Sequence, residues 1–209
     1  MRLFLAALWV CVFVQSFAFA QPVSSADKKT VAFDAYLDNR LVGSHIFTIQ
    51  RTDKTILVHS NLQLKAKFWG LWPINYTHQS TERWKDGCLI ALESQTQKRG
   101  KPMQVKAQTN SLGLNVIGDD KTRTMSGCIK SFAYWDNSLL QNSHLLNTEN
   151  GELIEVSVET INHQDSGGKS MVIGSSEAEI QLEYSANGEW LSLTSQLKVG
   201  GTLHYIRKN

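Results

Sequence analysis

The chain has 209 residues, with 21 basic and 19 acidic side chains for a formal net charge of +2, and 42% hydrophobic residues. This length suits one domain large enough to bury a core of its own. The near-balanced charge gives no electrostatic reason to expect a nucleic acid or an anionic membrane as partner.

The first element reads as an export signal. Residues 1–20 are MRLFLAALWVCVFVQSFAFA. Arg2 is a short positive start, Leu3 to Val14 is an unbroken apolar run, and Ala18-Phe19-Ala20 fits the small-x-small pattern of a signal peptidase site. The run is shorter than the ~20 residues of a membrane-spanning helix, and no later segment is apolar enough to span as one. The expected division is a signal peptide over 1–20 and a single β-barrel-like domain over 21–209. The mature net charge is then about +1, from 20 basic and 19 acidic residues. Cys11 leaves with the leader, and the bulky Leu8-Trp9-Val10 before it argues against a lipid-anchored cysteine. Cys88 and Cys128 remain, an even pair in an oxidising compartment. A disulfide between them would close a loop of about 40 residues and add roughly 3–4 kcal/mol.

Period-two alternation dominates the rest. Val31, Phe33, Ala35 and Leu37 alternate before the turn signal Asp38-Asn39, and Leu41 to Arg51 returns as the second half of a hairpin. From Thr55 to Phe68 the even positions are Ile56, Val58, Ser60, Leu62, Leu64, Ala66 and Phe68, while the odd ones are mostly polar. Only a half-buried strand explains that split, and one so long is expected to curl. Ile74 to Lys85 ends at Asp86-Gly87, and Cys88 to Lys98 pairs back. Shorter strands fit Met103–Thr109, Leu112–Ile117 and Thr122–Met125. The rhythm fails over residues 126–151, where Asp136 is placed to cap a short helix through Gln141. Alternation resumes at Leu153–Ile161, Ser170–Gly174, Ala178–Ser185, Trp190–Lys198 and Leu203–Arg207. The expected fold is all-β: an antiparallel meander of ten or more strands curled into an open or closed barrel. The short helical insert is expected against one end or face.

No catalytic residue is assigned. None of the six histidines lies three to five residues from another, neither cysteine has a nearby cysteine partner, and no nucleophile elbow or phosphate loop is present. No metal site and no cofactor are expected. The strand Ile74–Trp84 is the most informative segment. If Ile74, Tyr76 and Trp84 face inward, so do His78, Ser80 and Glu82, and buried His and Glu are costly unless paired or wet. Three arrangements fit: a polar patch in a ligand cavity, a satisfied internal network, or a face that turns outward partway. The connection Phe68-Trp69-Gly70-Leu71-Trp72-Pro73 carries three aromatics, which suits core at a barrel end, the mouth of an apolar cavity, or a lipid-facing tip. Candidate ligand contacts are therefore Phe68, Trp69, Trp72, Tyr76, His78, Glu82 and Trp84.

Several short motifs occur together. They are Gly43-Ser44-His45, Glu82-Arg83-Trp84-Lys85-Asp86-Gly87, Phe132-Ala133-Tyr134-Trp135-Asp136, Leu145-Leu146-Asn147-Thr148-Glu149-Asn150-Gly151-Glu152 and Gly188-Glu189-Trp190-Leu191-Ser192-Leu193. In this order they resemble a family of exported bacterial proteins known as domain-of-unknown-function family 6134. The resemblance implies an exported antiparallel β-domain and supplies no activity or catalytic residue. The functional expectation is a non-enzymatic, periplasmic or secreted domain that binds or carries an apolar or amphiphilic small molecule. The alternative is an envelope structural or protein-interaction module with a filled interior. A small outer-membrane barrel and an enzyme with a dispersed site stand behind these.

Overall fold

The computed structural model describes residues 27–68, 72–176, 178–197 and 200–208. The leader assigned to residues 1–20 lies outside them, as does Trp69. Fourteen strands are present: β1 (Asp27–Leu37), β2 (Arg40–Arg51), β3 (Ile56–Phe68), β4 (Trp72–Lys85), β5 (Cys88–Lys98), β6 (Lys101–Asn110), β7 (Gly113–Gly118), β8 (Lys121–Met125), β9 (His144–Leu146), β10 (Leu153–Asn162), β11 (Lys169–Ser175), β12 (Glu179–Tyr184), β13 (Trp190–Gln196) and β14 (Thr202–Arg207). The expected alternating segments correspond to these strands, with ends shifted by up to two residues except in β1, which begins four residues before Val31. β9 was not expected.

All the strands form one antiparallel sheet in the order β8-β7-β6-β5-β4-β3-β2-β1-β14-β13-β12-β11-β10-β9. Two meanders, β1–β8 and β9–β14, are thus joined by the β1–β14 pairing, which sets Phe33 opposite Arg207 and Leu37 opposite Leu203. β8 and β9 are the free edges, so the barrel is not closed. The tight turns follow the type I′ pattern, in which both central residues take positive φ and match the strand twist. Asp38-Asn39 (φ 47 and 65) and Asp86-Gly87 (φ 52 and 75) are examples.

The expected helix is one 3-10 turn, Asn137–Leu139, and Asp136 caps it by accepting a hydrogen bond from the Ser138 amide. The segment before it packs against the inner face of the sheet through a series of tight turns, with the Ala133 amide donating to the Ser131 carbonyl and the Asp136 amide to the Ala133 carbonyl. Ile129, Ser131, Ala133 and Trp135 are buried. The Leu89 amide donates to the Ile129 carbonyl, and the Leu146 amide donates to the Lys130 carbonyl. Its two sides face different surroundings. Trp135 packs edge-on against Trp84 at 5.8 Å, and Ser131 donates to Glu82 at 2.8 Å. Tyr134 stacks at 5.5 Å on Trp190, and its carbonyl accepts from Tyr184 Oη. Cys88 and Cys128 are joined, with Cα atoms 5.0 Å apart, tying the start of this segment to β5.

One half of the interior is dry. Phe33, Phe47, Trp190 and Tyr205 form an aromatic cluster on β1, β2, β13 and β14, with Phe33 and Trp190 centroids 4.1 Å apart. Outward positions at the centre of β3–β6 are Asn61, Gln79, Gln95 and Gln104, aligned across neighbouring strands. That row is not the apolar band that faces lipid in a membrane barrel. No helix among the described residues is long and apolar enough to cross a membrane.

Candidate functional site

The inner face of β2–β5 is polar. The β3–β4 register sets Leu64 opposite Tyr76, Leu62 opposite His78, Ser60 opposite Ser80 and Val58 opposite Glu82. The β4–β5 register sets His78 opposite Thr96 and Ser80 opposite Ser94. The period-two rule puts Tyr76, His78, Ser80, Glu82 and Trp84 on one face, at a spacing of ~6.6 Å. His45, Ser60, His78, Ser80, Glu82, Ser94 and Thr96 are all buried. The inward arrangement of β4 is therefore the one the protein adopts.

Part of this stripe is a satisfied network. His78 Nδ1 lies 2.7 Å from Thr96 Oγ1, and its Nε2 lies 3.1 Å from Thr148 Oγ1. Glu82 Oε2 accepts from Trp84 Nε1 at 3.0 Å and from Ser131 Oγ at 2.8 Å. Tyr76 donates to Glu149 at 2.9 Å, and Lys98 holds the other Glu149 oxygen at 2.7 Å. Part of it is not satisfied. His45 Nε2 meets Ser60 Oγ at 2.7 Å, but its Nδ1 is buried without a partner among the described residues. Ser80 Oγ and Glu82 Oε1 make no hydrogen bond among the described residues either, but of these three atoms only the His45 nitrogen is shut off from solvent. Such an atom carries a free-energy cost unless something fills the space beside it.

That space is a cavity of about 280 Å³ between the polar stripe and the opposite wall. His45, Ser60, Tyr76, His78, Ser80, Glu82, Thr148 and Glu149 give its polar side. Phe47, Leu62, Phe132, Tyr134, Ile173, Ile180, Leu193, Leu203 and Tyr205 give its apolar side. The volume is close to the ~300 Å³ lower end of small-molecule pockets. Burial governs the titration of the histidines and of Glu82 in this wall. Burial lowers the His45 imidazole to about 3, with the neighbouring His78 adding to the effect. Burial also lowers His78, against an opposing pull from Glu149. Both rings are neutral at neutral pH. Burial raises Glu82 to about 7, although its hydrogen bonds from Ser131 and Trp84 act the other way.

The loop carrying Thr148 and Glu149 is held by backbone contacts. The Asn147 side chain accepts from the Glu149 amide at 2.8 Å, and the Gly151 amide donates to the Asn147 carbonyl at 2.8 Å. Ser94 donates to the Thr148 carbonyl at 2.6 Å. Gly118 is required here, because a Cβ would sit 2.7 Å from the Asn150 carbonyl oxygen.

Of the candidate contacts, Tyr76, His78 and Glu82 line the cavity together. Trp84 does not belong to its wall. It is buried beneath Glu82, against Trp135. Phe68 and Trp72 pair at the tip of the β3–β4 hairpin, beyond Tyr76, and their side chains lie outside the described ones. The sequence reading omitted His45, although His45, Phe47 and Ile49 alternate onto one face. It also omitted Phe132, Tyr134, Thr148 and Glu149, which stand where the strand rhythm stops. No three His, Cys, Asp or Glu among the described residues come together as a metal site.

The domain of unknown function DUF6134 matches residues 33–208. The chain belongs to this family. It is thus the family that the short sequence motifs resemble. The fold is similar to that of a β-barrel-like protein of domain of unknown function DUF1849 from Brucella abortus, known from a crystal structure. The TM-score is 0.60 at 9% identity, over 87% of this chain and 96% of that one, which is a likeness of fold alone. No curated protein matches the sequence.

Proposed function

We propose that this protein is a non-enzymatic, exported binding or carrier domain for a small amphiphilic molecule, held in the cavity between β2–β5 and β11–β14. The observation that carries this reading is the mixed wall: apolar side chains beside buried polar residues, with His45 Nδ1 left without a hydrogen-bond partner among the described residues. A ligand with an apolar body and a polar head satisfies both sides, and water alone satisfies only one. Export is supported by the leader-like residues 1–20 and by a disulfide of the kind that persists in oxidising compartments such as the periplasm. The alternative of a filled interior accounts for the aromatic half and leaves the cavity half without a reason.

Native mass spectrometry of protein purified without detergent tests the proposal. The expected result is a bound small molecule on the wild type that is lost in Leu203→Trp, which fills the cavity from a half-buried position. A wild-type mass without adduct, together with no uptake from an added amphiphile, refutes it.

A further inference from the structure

Rested on the carrier reading, the cavity's own charges select the head group. Among the described residues, no Lys or Arg lines it. The Lys98 ammonium is engaged by Glu149 at 2.7 Å. Two carboxyl groups face the space, Glu82 and Glu149, and both Glu82 hydrogen bonds fall on Oε2. Oε1 of this buried residue is left as an open acceptor, with the Ser80 hydroxyl two residues away on the same face of β4. An anionic head would leave water for a wall holding two carboxyl groups, with the one neighbouring cation, Lys98, already committed to Glu149, an arrangement that buried ions do not tolerate. The neutral imidazoles of His45 and His78 do not relieve this. A hydroxyl or ammonium, by contrast, donates directly to an oxygen that has no other partner.

We propose that the cavity takes an amphiphile whose head donates hydrogen bonds and carries no negative charge, an alkyl alcohol or amine rather than a fatty acid or phospholipid. The test is calorimetric titration of the purified protein at pH 8 with three chain-matched probes: 1-octanol, octylamine and sodium octanoate. Octanol and octylamine are expected to bind, and octanoate to bind about tenfold more weakly or worse. Octanoate binding as tightly as octanol overturns the head-group assignment and leaves the cavity reading standing. Saturable binding of none of the three overturns the cavity reading itself, and the assignment with it. Glu149→Gln supplies a second arm. It keeps an acceptor for Tyr76 while freeing the Lys98 ammonium, and its side chain is only partly buried. It is expected to narrow the ratio of octanol to octanoate affinity several-fold, whatever its effect on octanol itself. An unchanged gap contradicts the electrostatic cause.

Discussion

The two halves of the interior are built on the same period-two alternation and filled with opposite chemistry. On β1, β2, β13 and β14 the inward positions are Phe33, Phe47, Trp190 and Tyr205, which close on one another. On β3–β5 the buried Val58, Leu62, Trp84 and Leu92 alternate with Ser60, His78, Ser80, Glu82, Ser94 and Thr96, polar residues that face a cavity, bond to the insert or, for Thr96, bond to His78. Core packing explains the first half completely. It does not explain the second, because small hydroxyls and a buried carboxyl contribute little apolar contact. The comparison teaches that one continuous sheet carries a closed aromatic cluster and a partly polar cavity side by side, with Phe47 and Tyr205 shared between them.

Substitutions on the two sides should separate accordingly. Trp190→Ala removes a ring that is 3% exposed and touches Phe33, Phe47, Tyr134 and Tyr205. A loss of about 3–5 kcal/mol in urea unfolding is expected. A loss below about 1 kcal/mol would mean that this half is not the structural one.

Glu82→Gln should have the opposite sign above neutral pH. Burial raises the folded-state value from 4.5 to about 7, so the folded protein disfavours the charged form. Wild-type stability is then full below about 4.5, falls as pH rises to about 7, and is level above that. Glutamine carries no such penalty and still accepts from Trp84 and Ser131. The variant should match the wild type near pH 4.5 and exceed it at pH 8 by on the order of 3 kcal/mol. A stability difference that does not vary with pH would show Glu82 to be solvated.

The smallest effect belongs to Ser80→Ala. Its hydroxyl has no partner among the described residues, so thermal unfolding should shift by no more than about 0.5 kcal/mol equivalent. A loss above about 2 kcal/mol would place Ser80 in a hydrogen-bonded network instead.

Sequence pattern revealed the strands more fully than the site. Alternation over Ile56–Leu64 and Tyr76–Trp84 identified two cavity strands and which side chains share a face. It left open whether His78 and Glu82 face a cavity or a filled network, because alternation records side and not depth. The insert was illegible for a different reason. Ile129, Ser131, Ala133 and Trp135 alternate, but the intervening Phe132 and Tyr134 are also apolar, since both sides of this segment meet protein. A chain packed on both faces loses the polar half of its period-two signal. Thr148 and Glu149 were hidden because hydrogen bonds inside a loop place them, and a loop has no period. Ser131 was hidden as well, being one small polar residue in an apolar run, yet it supplies a bond to Glu82.

The most direct test of the division between the halves is titration of 1-octanol into the wild type and into Leu203→Trp, with circular dichroism confirming that both are folded. Saturable one-to-one binding to the wild type, abolished in the folded variant, is the predicted result. Equal binding to both would place any ligand outside this cavity, and no binding to either would leave the polar stripe without the role given to it here.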